Sequence, residues 1–135
     1  CNTYNMLRLT KLLFLDSPDA TYADFYERAM LNHILSSINS VQGGFVYFTP
    51  MRPGHYRVYS QPQTSFWCCV GSGIENHSRY GELIYAHKGA DVLYVNTFLS
   101  SKLQWKANRT EVELTGHFPW SDHATAIISS NKPRR

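Results

Sequence analysis

The sequence predicts a mixed α and β protein in which a helical part precedes antiparallel strands. Apolar residues recur at helical spacing before about residue 90, whereas the period of alternation is two from Asp91 onward. The 135 residues are 43% apolar, 14% aromatic and 17% charged, which is typical of a folded chain and excludes a disordered one. We therefore expect helices over residues 1–90 and a β region over residues 91–135.

Two helices are predicted in the first 45 residues. The segment Tyr4–Leu15 carries polar residues at every third position and apolar residues over most of the rest, which is typical of a largely buried helix. The second helix starts at Thr21, which resembles a capping box with Asp24, and ends at Gly43-Gly44.

A third helix is predicted from about Ile74 to His87, after the turn-prone residues 70–73. Ser72 and Glu75 have the spacing of its capping box, and the alternative for Glu75 is a catalytic acid. Because an almost all-round apolar helix begins near residue 1 and only two other helices can cover it, we expect an internal segment of a larger protein.

Short runs of β-forming residues predict the strands. Phe45–Phe48 and Tyr56–Tyr59 flank a proline-rich turn, and Val92–Leu99 is apolar on both faces, as a buried strand would be. Alternating segments on either side of Asn108-Arg109 predict a hairpin, and a last strand is expected over Ala124–Ser129.

Composition also bears on partners. No apolar run approaches the roughly 20 residues that a membrane-spanning helix needs. The net charge is +3, and the basic residues are scattered except for Lys132-Pro133-Arg134-Arg135, whereas nucleic-acid binders usually present a basic stripe. We therefore expect neither a membrane nor a nucleic acid as partner.

The three cysteines, Cys1, Cys68 and Cys69, are the main candidates for chemistry. A disulfide between neighbours is strained, because bridged Cα atoms prefer about 5.5–6 Å and neighbours lie about 3.8 Å apart. The thiols are therefore either buried apolar groups or a metal or nucleophile site. Adjacent thiols reach one ion only where the chain turns, which Gly71 and Gly73 permit, and the positive end of a following helix favours thiolates. The spacing is not that of a zinc finger.

The histidines are predicted to have plainer roles. His33 and His77 lie on apolar helix faces and are expected to be packed and hydrogen-bonded rather than ligands, whereas His55 and His87 are expected to face solvent near turns.

Several segments occur in an order that resembles one enzyme family. They are Cys1–Leu9, Gly43–Met51, Phe66–His77, Leu93–Asn96 and Phe118–Trp120, and the paired cysteines are the specific part. The chain resembles, over residues 1–125, the bacterial β-L-arabinofuranosidases of glycoside hydrolase families 127 and 146.

The resemblance implies a fold and a chemistry. It implies that residues 1–90 are the C-terminal helices of an (α/α)6 barrel and residues 91–135 the beginning of an antiparallel β-sandwich. The implied parent is a retaining hydrolase that releases β-L-arabinofuranose from arabinose-containing glycans, in the bacterial periplasm or cytoplasm. Zinc is the implied cofactor, with Cys1, Cys68 and Cys69 as its sulfur ligands, Cys68 as the nucleophile and Tyr47 in the sugar site.

The same resemblance places a zinc-ligand glutamate and the acid/base glutamate before Cys1. We therefore expect this segment to need the remainder of the parent chain and to be inactive by itself. Two alternatives stay open: a noncatalytic carbohydrate-binding segment whose aromatic rings stack on sugars, and a structural zinc site that joins the helical part to the β part.

Overall fold

The computed structural model of the chain describes residues 1–130 and contains both helices and antiparallel sheets, as predicted. The chain divides into two compact units, Cys1–Tyr80 and Gly81–Arg135. Within the described residues, no helix is both long enough and apolar enough to cross a bilayer. The basic residues 132–135 lie outside the described part, and the assignment of 1–90 and 91–135 to a barrel and a sandwich stays a prediction.

The first unit begins with helix α1, Asn2–Asp16, where a helix is predicted. One face of α1 is buried, at Tyr4, Leu7, Thr10 and Phe14. The expectation that most of this helix is buried is wrong for the described chain, because Leu12 is 61% exposed and Leu15 53% exposed. The spacing of three and four residues along the buried face shows that α1 packs with a single stripe.

Helix α2, Ala20–Ala29, is capped by Asp19, whose carboxylate accepts a hydrogen bond from the backbone N–H of Thr21 at 2.8 Å. The predicted capping box of Thr21 with Asp24 is therefore wrong, because Asp19 lies at the N-cap and Thr21 two residues further into the helix. The chain continues as a π-helical turn, Met30–Ile34, and a 3-10 turn, Leu35–Ser37.

The second helical segment ends at Ser37, six residues before the predicted glycine stop. Gly43 instead occupies a turn with φ of +79°, a conformation that favours glycine, and its N–H donates to the carbonyl of Asn39 at 2.7 Å. This turn brings Ile38 opposite Phe45.

The two strands predicted around the proline-rich turn are reduced to isolated bridges. Phe45 pairs with Ile38, and Val46 pairs with Tyr59, in antiparallel orientation.

Helix α3 spans Cys68–His77, so the predicted helix from Ile74 to His87 is misplaced. Its first turn contains both paired cysteines, and its buried positions are Val70, Gly73 and Asn76. The segment predicted as its second half contains turns and then a strand, Tyr85–Lys88.

The second unit contains five strands in two antiparallel sheets. Strands β1, Tyr85–Lys88, and β2, Val92–Val95, form a pair, and β3, Ser101–Trp105, β4, Thr110–Gly116, and β5, Ala124–Ser130, form a meander. Its core cluster is Ile84, Val112 and Leu114.

The predicted hairpin and the last strand are confirmed. Between β3 and β4 the chain forms a 3-10 turn and then a left-handed residue, Arg109, with φ of +50°. The predicted buried strand Val92–Leu99 is shorter, at four residues, and its first residue is 42% exposed. None of its four residues is fully buried, so the prediction of a strand buried on both faces is wrong.

Candidate metal centre

The structure brings the three cysteines together at the beginnings of two helices. Cys1 is the N-cap residue of α1, and Cys68 and Cys69 are the first two residues of α3. The Sγ atom of Cys69 lies 4.0 Å from that of Cys1 and 3.9 Å from that of Cys68. All three sulfur atoms lie within 4.8 Å of one another, so they can hold one metal ion.

These separations fit a tetrahedral thiolate site. Zinc–sulfur bonds of about 2.3 Å in a tetrahedron place neighbouring sulfur atoms about 3.8 Å apart. The two sulfur–sulfur distances at Cys69 already lie close to that value. The donor set is soft and made wholly of sulfur, which zinc accepts readily. The three residues therefore fit the ion that the resemblance implies.

The helical position of the pair differs from the sequence expectation. The glycines do not form a turn after the cysteines, because Gly71 and Gly73 lie inside α3. Within the first turn of the helix the two neighbouring sulfur atoms lie 3.9 Å apart. The positive end of the α3 dipole is at these residues, and it favours negative groups such as thiolates.

The alternative of three buried thiols is wrong. Cys1 and Cys68 are exposed and Cys69 is half-buried, and none of them forms a disulfide. Thiols that lie together at an exposed site are open to a metal ion or to an incoming substrate.

Tyr47 lies beside the cysteine pair. Its pKa is raised above the ordinary value, first because of the negative charge of Cys68 and then because its side chain hydrogen-bonds to Cys68. Its ring also makes an edge contact with Trp67, the residue that precedes α3, at 5.9 Å between centroids. A protonated Tyr47 hydroxyl can donate to the Cys68 thiolate, and its place in the sugar site stays a prediction.

A small cavity of about 200 Å³ adjoins the cysteines and contains residues that sequence reasoning did not assign to the site. Thr3 and His33 both line it, and the Thr3 hydroxyl lies 2.7 Å from His33 Nδ1. Because His33 is exposed, the prediction that it is packed is wrong, although it is hydrogen-bonded as expected. The sequence signal for this contact was weak. Only the position of His33 in the helical spacing, on the side that faces Thr3, distinguishes it from a surface histidine.

Ser72 and Glu75 do not form a capping box. Both residues lie inside α3, which begins at Cys68, so Ser72 is not at the N-cap. The Ser72 hydroxyl lies 3.5 Å from Cys1 Sγ, which makes it a direct neighbour of the cluster. Hydrogen bonds from Tyr4 and Arg79 lower the pKa of the Glu75 carboxyl, so Glu75 is engaged as an anion within the first unit.

The other three histidines with a predicted role follow the sequence expectations. His77 is packed against Phe45, with ring centroids 5.6 Å apart, and its Nδ1 lies 2.6 Å from the Tyr80 hydroxyl. His55 and His87 are exposed.

A family model described as the GH127 catalytic domain of β-L-arabinofuranosidase matches residues 1–82. The matched stretch contains all three cysteines and Tyr47, and it ends two residues beyond the boundary between the compact units. A search of curated proteins gives no match. The resemblance over residues 83–125, the relation to family 146 and the bacterial source stay predictions.

Proposed function

The chain belongs to the GH127 β-L-arabinofuranosidase family of glycoside hydrolases. From this we propose that it supplies the zinc-binding thiolates and the nucleophile of a retaining active site, whereas the acid/base carboxyl comes from the remainder of the parent chain. The proposed parent enzyme releases β-L-arabinofuranose from arabinose-containing glycans. Residues 1–90 would then contribute to an (α/α)6 barrel, and residues 91–135 would begin a β-sandwich. The single observation that carries the proposal is the cluster of three sulfur atoms within 4.8 Å of one another.

Zinc is the proposed cofactor, with Cys1, Cys68 and Cys69 as ligands. A fourth ligand, a glutamate before Cys1, follows from the family resemblance. When bound, zinc keeps its sulfur ligands ionised at neutral pH.

Cys68 is the proposed nucleophile. A retaining glycosidase forms a covalent glycosyl-enzyme intermediate with a nucleophile on one side of the sugar, and an acid/base group acts at the leaving oxygen. In the first step the Cys68 thiolate attacks the anomeric carbon, the bond to the leaving oxygen breaks, and that oxygen takes a proton from the acid/base carboxyl. In the second step water attacks the anomeric carbon and the bond to sulfur breaks, which restores the Cys68 thiolate. The water gives up a proton to the carboxylate, which restores the acid.

Two features support Cys68 over Cys69 in this role. Cys68 is exposed, whereas Cys69 is half-buried and lies between the other two sulfur atoms. Tyr47 hydrogen-bonds to Cys68, which fits a residue that orients the thiolate and contacts the sugar bound against it.

The structural-zinc alternative receives less support. All three thiols belong to the unit Cys1–Tyr80, so a metal held by them stabilises α1 against α3 within that unit. The alternative would give zinc binding and lost stability on cysteine substitution, with unchanged turnover in the complete enzyme. A carbohydrate-binding segment would instead bind glycan without any of the cysteines.

Zinc content tests the cofactor directly. We expect about one zinc ion per chain by elemental mass spectrometry after purification under reducing conditions with zinc supplied, since three thiolates suffice for tight binding. The double variant Cys68→Ser/Cys69→Ser is the control and should carry none. Zinc retained by the double variant, or absent from the unchanged chain, would contradict the proposed site.

The nucleophile is tested separately in the complete enzyme. Cys68→Ser should lower turnover of a β-L-arabinofuranoside by at least about 10³-fold, because loss of a covalent nucleophile removes the main route of the reaction. Thr49→Ala, at a neighbouring cavity position, is a control for small changes near the site. Full turnover by Cys68→Ser would rule out its nucleophilic role.

A further inference from the structure

The metal centre depends on two helices that are far apart in sequence. Cys1 belongs to the beginning of α1 and Cys69 to the beginning of α3, and 68 positions separate them. Their sulfur atoms meet at 4.0 Å only if the two helix beginnings are held side by side. A shift of either helix by one residue, about 1.5 Å along its axis, would disturb a tetrahedral sulfur site.

A polar network links the same two helices close to the cysteines. Tyr4 lies three residues after Cys1 on α1 and is only 8% exposed. Its side chain hydrogen-bonds to the carboxylate of Glu75, which lies six residues after Cys69 on α3. Arg79 forms an ion pair with the same carboxylate. The hydroxyl of Tyr4 therefore connects the two helices through a charged acceptor, which makes a stronger hydrogen bond than a neutral one.

Two arginines complete the network around the Tyr4 ring. The guanidinium of Arg8 lies 5.6 Å from the ring centroid and that of Arg79 lies 5.9 Å from it. Arg8 also donates to the Tyr4 hydroxyl at 3.5 Å. Arg8 belongs to α1, Glu75 to α3, and Arg79 to the residues just after α3, so charges from both helical segments converge on one buried ring.

We propose that Tyr4 and Glu75 are positioning residues that fix the register of α1 against α3 and so hold Cys1 beside Cys69. The inference rests on the proposed metal site and adds the device that assembles it. In this role each residue acts through the placement of the cysteines.

A catalytic role for Glu75 fits the structure poorly. Glu75 lies seven residues after the proposed nucleophile Cys68, which corresponds to about 10 Å along the helix axis, whereas the two reacting groups of a retaining glycosidase lie about 5–5.5 Å apart. Tyr4 and Arg79 also engage the Glu75 carboxylate already. The Glu75 carboxylate is therefore a charged hydrogen-bond acceptor held in place, rather than a proton donor to substrate.

The first test is zinc affinity, measured by competition with a chromophoric chelator. Tyr4→Phe keeps the buried ring and removes only the hydroxyl, and we expect it to weaken zinc binding about 10-fold, the lower end of the effect of outer groups at metal sites. Glu75→Gln keeps an acceptor for Tyr4 but loses the ion pair, so a smaller loss is expected. Unchanged affinity in both variants would overturn the inference.

The matched control is Asp24→Asn. Asp24 pairs with Arg28 four residues later on α2, in the same arrangement as Glu75 with Arg79, but both side chains are more than 70% exposed. This variant removes a comparable ion pair without touching α1 or α3 and should bind zinc like the unchanged chain. A loss equal to that of Glu75→Gln would show a general effect of charge.

A second test needs no metal. In a Cys68→Ser background, the remaining thiols are those of Cys1 and Cys69. A bifunctional thiol reagent such as dibromobimane becomes fluorescent when it joins two thiols, so its cross-linking rate reports their proximity. We expect Tyr4→Phe to slow cross-linking several-fold while the rate of single alkylation by iodoacetamide is unchanged.

The two tests separate the possible failures. If the unchanged chain binds no zinc but Tyr4→Phe slows cross-linking, the metal proposal fails and the positioning role stands. If cross-linking in Tyr4→Phe equals that of the parent Cys68→Ser chain, the positioning role is wrong, whatever the zinc content.

Discussion

At the scale of single residues, His77 shows how the first unit constrains protonation. Its ring packs against Phe45, and its buried Nε2 has no hydrogen-bond partner within residues 1–130. Burial lowers the pKa of His77 below 6.5, because the charged ring would lose contact with water. The folded unit therefore favours the neutral imidazole, whereas the unfolded chain takes up a proton more readily.

The stability of the first unit should consequently depend on pH. Because the folded pKa of His77 is the lower one, its contribution is fully present above about pH 6.5 and is lost as the pH falls through the folded pKa. We expect the free energy of unfolding, from urea titrations followed by helical circular dichroism, to rise between pH 5 and pH 7. His77→Gln should flatten that rise.

His55→Gln provides the control, because it removes an exposed imidazole from the same unit. An identical pH slope in the His77→Gln and unchanged chains would contradict the role given to burial.

The cysteine cluster, also at this scale, could be predicted in part. Resemblance nominated Cys1, Cys68 and Cys69 together, and Tyr47 as a neighbour of the sugar. No pattern in the sequence could show that Ser72 lies 3.5 Å from Cys1 or that Thr3 meets His33, because these contacts join residues from separate helices. They depend on helix packing, which single-sequence periodicity does not encode.

At the scale of elements, α3 departs furthest from its sequence signal. The glycines at positions 71 and 73 are poor helix formers and predicted a turn before the helix. Gly73 is buried because the Phe45 ring lies where a side chain would be: a Cβ atom there would come 2.6 Å from Phe45 Cδ1. Tertiary packing therefore overrides the local preference and lets the helix begin at Cys68.

Paired alanine substitutions test this explanation. Gly73→Ala should destabilise the first unit by about 1–3 kcal/mol, because the added methyl overpacks a buried ring. Gly71→Ala is the matched control, since its Cβ would meet nothing nearer than 3.8 Å and alanine gains about 1 kcal/mol of helix propensity over glycine.

Thermal unfolding followed by circular dichroism gives both changes. The packing account predicts opposite signs for the two variants. Two alanines that stabilise equally would show that Phe45 moves aside freely.

The same element scale explains the misplaced end of the third helix. Ile84 and Tyr85 continue the helical spacing from Ile74, but the structure places Tyr85 opposite Val95 in an antiparallel pair. That pairing is made with a segment ten residues away, beyond the reach of a helical pattern. By contrast, the hairpin of β3 and β4 was predicted because its turn and its alternation are local.

At the scale of the whole molecule, the chain holds two compact units with different secondary structure. The change from helix to strand was predicted because the period of apolar residues changes from 3.6 to 2. The family match covers the helical unit, which contains every cysteine. The metal proposal therefore predicts that zinc stabilises the first unit and not the second, and one hydrogen-exchange experiment can compare the two.

Zinc should stabilise the first unit by mass action. At free zinc 100 times the dissociation constant, the gain is about 2.7 kcal/mol, which slows exchange of amides that open only by unfolding of that unit about 100-fold. We expect this slowing in α1 and α3 by hydrogen exchange, with reversal by a chelator. Amides of β4 provide the internal reference, because that strand contains no cysteine.

The Cys68→Ser/Cys69→Ser chain distinguishes specific binding from a general effect of the ion. Without the two thiols at the beginning of α3, zinc has a single sulfur ligand in this chain and should leave exchange unchanged. Slowing of the same size in that variant would mean that zinc acts elsewhere. Equal exchange with and without zinc in the unchanged chain would mean that the three sulfur atoms, although close enough, do not form a metal site.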